Sequence, residues 1–136
     1  MSPTRPTVLF LCIHNAGRSQ MALGWFTHLA NGRARALSAG SEPAATINPM
    51  AVEAMAEVGI DITGESPKRW TDQTLTNADV VVTMGCGDTC PVVPGTRYDD
   101  WPLEDPAGKD LETVRRVRDE IRDRVERLLV ELDTTG

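Results

Sequence analysis

The chain is predicted to fold as α/β: a four-stranded parallel sheet with helices on both faces. Three observations predict it. Continuous apolar runs at TVLFL (7–11) and ADVVVTM (78–84) read as strands buried on both faces. Segments with apolar residues three and four apart lie between and after these runs, as amphipathic helices do. The resulting order is strand, helix, strand, helix, strand, loop, strand, helix, and such alternation implies parallel pairing.

Each element has its own signal. From Ser19, apolar residues at Met21, Ala22, Trp25, Phe26, Leu29 and Ala30 keep helical spacing until Asn31-Gly32 supplies a stop. Trp25 and Phe26 read as core. RARALSAG (33–40) is a second, short strand. Asn48 as N-cap and Pro49 at the first helical position open a helix through Met50, Val52, Met55, Ala56 and Val58, which Gly59 ends. Residues 60–77 are polar and turn-rich, with a short helix near 71–77. GCGDTCPVVPG (85–95) is a loop, and TRYDDW (96–101) holds the fourth strand. Leu111, Val114, Val117, Ile121, Val125, Leu128 and Leu132 mark the last helix, whose alternating Arg, Asp and Glu read as a solvated face rather than a binding patch.

A chain of 136 residues is expected to form one domain, 1–136. Its net charge of −6 argues against nucleic acid or an anionic membrane as the main partner. No apolar stretch approaches the roughly 18 residues of a membrane span, and MSPTRPTVLF lacks a signal-peptide core, so a cytoplasmic location is expected. Three cysteines, Cys12, Cys86 and Cys90, are too few and odd in number for a disulfide scaffold. In a cytosolic chain they point to catalysis, redox work or metal binding.

In open parallel sheets the ligand crevice lies at the carboxyl ends of the strands. Cys12 follows the first strand, Cys86 the third and Asp105 the fourth, so one rule places all three at the same edge. The segment C-I-H-N-A-G-R-S (12–19) carries the strongest chemical signal. Its five residues Ile13, His14, Asn15, Ala16 and Gly17 can curl so that successive backbone N–H groups form an anion nest. The following helix adds its N-terminal donors and positive dipole end. Gly17 allows a backbone conformation or close approach that a side chain would obstruct, and Arg18 offers a planar fork matching two oxygens of a tetrahedral oxyanion. The same field, with a hydrogen bond from Ser19, favours a thiolate at Cys12 and so a nucleophile. The GxxxxGK[ST] phosphate loop of nucleotide-binding proteins is absent.

Cys12-(x5)-Arg18-Ser19 in a strand–loop–helix resembles the phosphate-binding loop of the low-molecular-weight tyrosine phosphatase superfamily. The longer set of CIHNAGRSQMA, SAG (38–40), Asn48-Pro49, GIDI (59–62), ADVVVTM and Asp105-Pro106 is similar to the arsenate reductases of that superfamily. The resemblance implies the superfamily's three-layer fold and a shared first step. Cys12 attacks a bound oxyanion held by the loop and Arg18, while an acid protonates the leaving oxygen. Asp105 is the candidate acid; Asp99, Asp100 and Glu104 are nearby carboxylates.

A phosphatase then needs only water, whereas a reductase must supply two electrons, for which thiols are the natural donors. Cys86 and Cys90, in GCGDTCP, are close enough in sequence to bridge if the loop bends. For arsenate, with phosphate or sulfate as mimics, the resemblance implies a relay. Cys86 attacks the Cys12 adduct, arsenite leaves, Cys90 attacks Cys86, and thioredoxin reduces the Cys86–Cys90 disulfide. The Cys86–Cys90 spacing is shorter than in the well-known thioredoxin-coupled reductases. It resembles an actinobacterial-type variant for which mycothiol with a glutaredoxin-like partner is the alternative reductant.

Against a tyrosine phosphatase, the chain has one tyrosine, Tyr98, and Asp105-Pro106 is followed by Ala-Gly rather than the aromatic residues that clamp a phosphotyrosine ring in that branch. Leu23 stands where some relatives place a potassium-binding Glu, so no potassium site and no cofactor are expected. A zinc site of Cys12, His14, Cys86 and Cys90 has poor C-x-H chelate spacing and a cation, Arg18, beside it. His14 is expected to hydrogen-bond locally, and His28 to lie on the helix surface or in packing.

Overall fold

Val8, Phe10 and Cys12 fall on one side of the first strand and Leu9 and Leu11 on the other, and all five are buried. The computed structural model, which describes residues 5–84 and 95–135, shows why. The strands β1 (Thr7–Cys12), β2 (Arg35–Gly40), β3 (Val80–Thr83) and β4 (Arg97–Asp100) form one parallel sheet in the order β2-β1-β3-β4. As an inner strand, β1 has no solvent face, and its β-branched and aromatic residues suit that place.

The helices are α1 (Arg18–Ala30), α2 (Pro49–Glu57), α3 (Asp72–Asn77) and α4 (Leu111–Thr135). On one face, Phe10 packs against Phe26 and Trp101 with ring centroids 5.7 Å apart in both pairs. Trp25, Val114, Ile121 and Val125 extend that core through α1 and α4. On the other face, Leu9, Leu11 and Val81 meet Leu75 of α3, with Trp70 and Tyr98 packed against them. Each large apolar side chain buried in this way contributes about 1.5–3 kcal/mol. The expected core residues Trp25 and Phe26 are buried, and His28 is exposed on α1.

The caps follow the expected chemistry. Asn31 ends α1 in a left-handed conformation (φ 49°). The Asn48 side chain accepts from the Met50 N–H at 2.9 Å, with Pro49 opening α2. Thr71 and Thr74 form a reciprocal capping box for α3. One expectation about α4 needs correction. Arg118 is not on a solvated face: it is 8% exposed, donates to Ala54 O (2.9 Å) and pairs with Glu57 and Asp119. Its guanidinium finds acceptors on α2, at Ala54 O and Glu57, as well as on its own helix. Among the described residues no helix is long and apolar enough to cross a membrane.

Parallel pairing sets the working edge. Cys12 lies opposite Gly40 on β2, and Leu11 lies opposite Thr83 on β3. Past the end of β3, Met84 N–H still donates to Leu11 O at 2.8 Å. The chain therefore leaves β1 and β3 at the same end of the sheet.

Glu57 holds α2 against α4. Hydrogen bonding from Arg115, and then from Arg118, keeps its carboxyl below the ordinary value of 4.5. A lowered carboxylate stabilises the fold fully above its unfolded value and ceases to as pH falls through its folded one. Glu57→Gln is therefore expected to lower the melting temperature at pH 7. The gap to wild type should close as pH is taken from 4.5 downward; a gap constant across that range in a thermal-melt series would contradict the assignment.

Candidate active site

The segment 12–18 closes into a tight loop because its carbonyls are held from outside. Glu42, Ala44 and Asn48 donate their N–H groups to the carbonyls of Ile13, His14 and Ala16 at 2.8, 3.0 and 2.9 Å. In a trans peptide the next residue's N–H points opposite to the carbonyl. The N–H groups of His14, Asn15 and Gly17 are thus turned away from 42–48. Asn15 shows that direction: its N–H donates to Cys12 Sγ, with N and Sγ 3.2 Å apart.

Two glycines make the closure sterically possible. A Cβ on Gly40 would stand 2.5 Å from Ile13 O and 3.0 Å from Asn15 N, so β2 passes directly against the loop backbone. A Cβ on Gly17 would stand 3.0 Å from the Pro106 ring, which brings Asp105-Pro106 against the start of α1. Asn15 itself is left-handed (φ 50°), a conformation that asparagine tolerates better than most residues.

Cys12 sits under this loop, 2% exposed. Its sulfur lies 2.8 Å from Ser19 Oγ. Ser19 is buried, and its hydroxyl receives Asn15 Nδ2 at 2.7 Å. Arg18, 6% exposed, is fixed by a 3.3 Å bond from Nη1 to Leu103 O, while Nη2 stands 3.6 Å from Asp105 Oδ2. Asp105 is half-exposed, and its other oxygen accepts the Ala107 N–H at 3.0 Å. The His14 ring lies with Nδ1 3.1 Å from Glu42 O, so Nδ1 carries the proton.

Cys12, His14, Ala16, Gly17, Arg18 and Asp105 line one cavity of about 140 Å³. Of the loop residues singled out from sequence, Ile13 and Asn15 do not line it. Ile13 packs towards the Leu9–Leu11 side, and the Asn15 side chain is buried beneath the loop. Cys86 and Cys90 lie outside the described residues. Among the other acidic candidates, Asp99 pairs with Arg97 and Asp100 accepts from Thr83 Oγ1, which commits both to β4.

Sequence reasoning missed part of the wall. Ala44, Asn48, Pro106 and Ala107 complete the cavity. Asn48 was legible as a helix cap but not as a wall residue, because its second role depends on the long-range bond to Ala16 O. Among the described residues, no three of His, Cys, Asp and Glu gather as metal ligands.

The low molecular weight phosphotyrosine protein phosphatase family profile matches residues 7–135. An arsenate reductase of Bacillus cereus is 42% identical over 127 residues, which span 90% of this chain and 93% of that protein. A thioredoxin-dependent arsenate reductase of Corynebacterium glutamicum superposes with a TM-score of 0.88 at 40% identity, covering all of this chain and 66% of its own. An arsenate reductase in the phosphate-binding state gives a TM-score of 0.83 at 37% identity, covering 93% of this chain and 98% of that one.

Gly40→Ala tests the closure. Forcing a methyl against Ile13 O is expected to cost about 1–3 kcal/mol of stability in urea denaturation, as overpacking does. It should also displace the loop and slow alkylation of Cys12. Wild-type values for both would show that β2 does not buttress the loop.

Proposed function

The chain belongs to the low-molecular-weight phosphotyrosine protein phosphatase family and, within it, to the arsenate reductases; from that premise we propose that it reduces arsenate to arsenite. The observation that carries the reading is the single cavity shared by Cys12, Arg18 and Asp105. Among the described residues its lining includes no Phe, Tyr or Trp to hold a phosphotyrosine ring, which favours a small inorganic anion.

In the first step Cys12, as thiolate, attacks arsenic and forms an S–As bond. The Arg18 fork holds two of the remaining oxygens, and the loop N–H groups share the negative charge. Asp105 stands at the rim, within 3.6 Å of Arg18, and protonates the departing oxygen, which leaves as water. The arsenic is still As(V) at this point. In the second step the Cys86 thiolate attacks the Cys12 sulfur. The S–As bond breaks with its electron pair going to arsenic, so arsenite departs as As(III) and a Cys12–Cys86 disulfide remains. Cys90 then attacks Cys86 and releases Cys12 as thiolate.

The Cys86–Cys90 disulfide is reduced by a cytoplasmic thioredoxin, in keeping with the thioredoxin-dependent relative. Arsenate is the substrate, and phosphate, held by another relative, is its mimic.

Cys12→Ser is expected to keep the fold and to release arsenite at below about a tenth of the wild-type rate, because a serine hydroxyl is a far weaker nucleophile here. Arg18→Lys should raise the KM for arsenate about tenfold, since lysine cannot make the bidentate contact. Cys90→Ser should block multiple turnover with thioredoxin. A Cys90→Ser protein that cycles normally on mycothiol with a glutaredoxin-like protein would replace thioredoxin by the small thiol as reductant.

A further inference from the structure

We propose that Gln20 is a positioning residue that sets the direction of hydrogen bonding onto the Cys12 sulfur; this rests on the reading of Cys12 as the nucleophile. Gln20 is fully buried in the first turn of α1. Its Nε2 faces three oxygens: Asn15 O at 3.1 Å, Asn15 Oδ1 at 3.2 Å and Ser66 O at 3.4 Å. Two of these are backbone carbonyls, which only accept. The amide is therefore fixed with its NH2 group towards the loop, because the reverse orientation would set Oε1 against them. Oε1 has no hydrogen-bond partner among the described residues, so the NH2 contacts must offset its burial.

The constraint passes along the network. Asn15 Oδ1 receives both Gln20 Nε2 and the Lys68 N–H, the latter at 3.0 Å. With two donors on its oxygen, the Asn15 amide cannot turn over, and its Nδ2 is committed to Ser19 Oγ at 2.7 Å. In this proposal the Ser19 hydroxyl, which accepts from Asn15, gives its one proton to Cys12 Sγ, 2.8 Å away. The sulfur also receives the Asn15 N–H. On this reading the bonds from Gln20 through Asn15 and Ser19 all run one way and end on a sulfur that accepts. Gln20 touches neither substrate nor sulfur, and acts through Asn15.

Iodoacetamide alkylation in a Cys86→Ser/Cys90→Ser background reads Cys12 alone. Gln20→Met, similar in volume but unable to donate, is expected to lower the alkylation rate at pH 6 about fivefold. At pH 10, above the ordinary range of a free thiol, the rate should match wild type. In a Ser19→Ala background the same change should have no further effect, because Ser19 is the link through which Gln20 acts. An unchanged rate at pH 6, or the same fold-loss with and without Ser19, overturns the proposal. If Gln20→Met gives no cooperative unfolding transition, Gln20→Glu carries the same test: a carboxylate accepts where the amide donates, and an unchanged rate at pH 6 overturns the proposal there too. Alkylation needs no arsenate, so if this test is passed while the wild-type protein, with Cys86 and Cys90 intact, releases no arsenite, the functional reading is sunk and this one is left standing.

Discussion

The arrangement depends on one constraint, the convergence of donors on a buried sulfur. Cys12 is 2% exposed and lies at the end of an inner strand, where a thiol would ordinarily be a small hydrophobe. What distinguishes it is that the Asn15 N–H donates to it and the Ser19 hydroxyl lies 2.8 Å away. The left-handed Asn15 and the missing Cβ of Gly40 let the backbone curl that tightly. Remove either, and the loop has no room to bring its N–H groups round to the sulfur.

The sheet supplies the frame. Because β1 pairs on both sides, its end cannot shift without breaking two ladders. The loop is then tied to segments far away in the chain: to 42–48 through its carbonyls, to Lys68 through Asn15, and to Leu103 through Arg18. Such long-range ties fix the donors in advance, so little reorganisation remains for the moment at which charge develops.

Much of this was legible in the sequence, and the exceptions have physical reasons. The β1 and β3 runs, the α4 periodicity and the Asn48-Pro49 start all lie where pattern and propensity place them. The start of α1 was read at Ser19, a residue that normally caps, whereas the helix begins at Arg18 with Gly17 as N-cap and no side-chain cap bond. The Ser19 hydroxyl lies against the sulfur rather than capping the backbone. Arg118 read as a surface charge because neither its acceptor on Ala54 nor its partner on Glu57 can be inferred from helix spacing. Gln20 showed no role of its own in the sequence, because its contacts with Asn15 depend on the closed loop and its contact with Ser66 spans 46 residues. Local chemistry shows in a sequence, and convergence of distant segments does not.

A chain of net charge −6 is an improbable host for an oxyanion if charge is summed over the whole molecule. Distance and burial reverse that expectation. Surface carboxylates beyond about 10 Å are largely screened by salt, whereas a pair of charges 4 Å apart interacts several-fold more strongly at a protein surface than in bulk water. Arg18 is 6% exposed, and the loop amides beside it keep fixed dipoles that need no counter-ion. Asp105 is the one carboxylate lining the cavity among the described residues, and it stands next to Arg18. An acidic exterior and the proposed anion-binding interior are therefore compatible, because the local donors set the potential that an incoming oxyanion would meet.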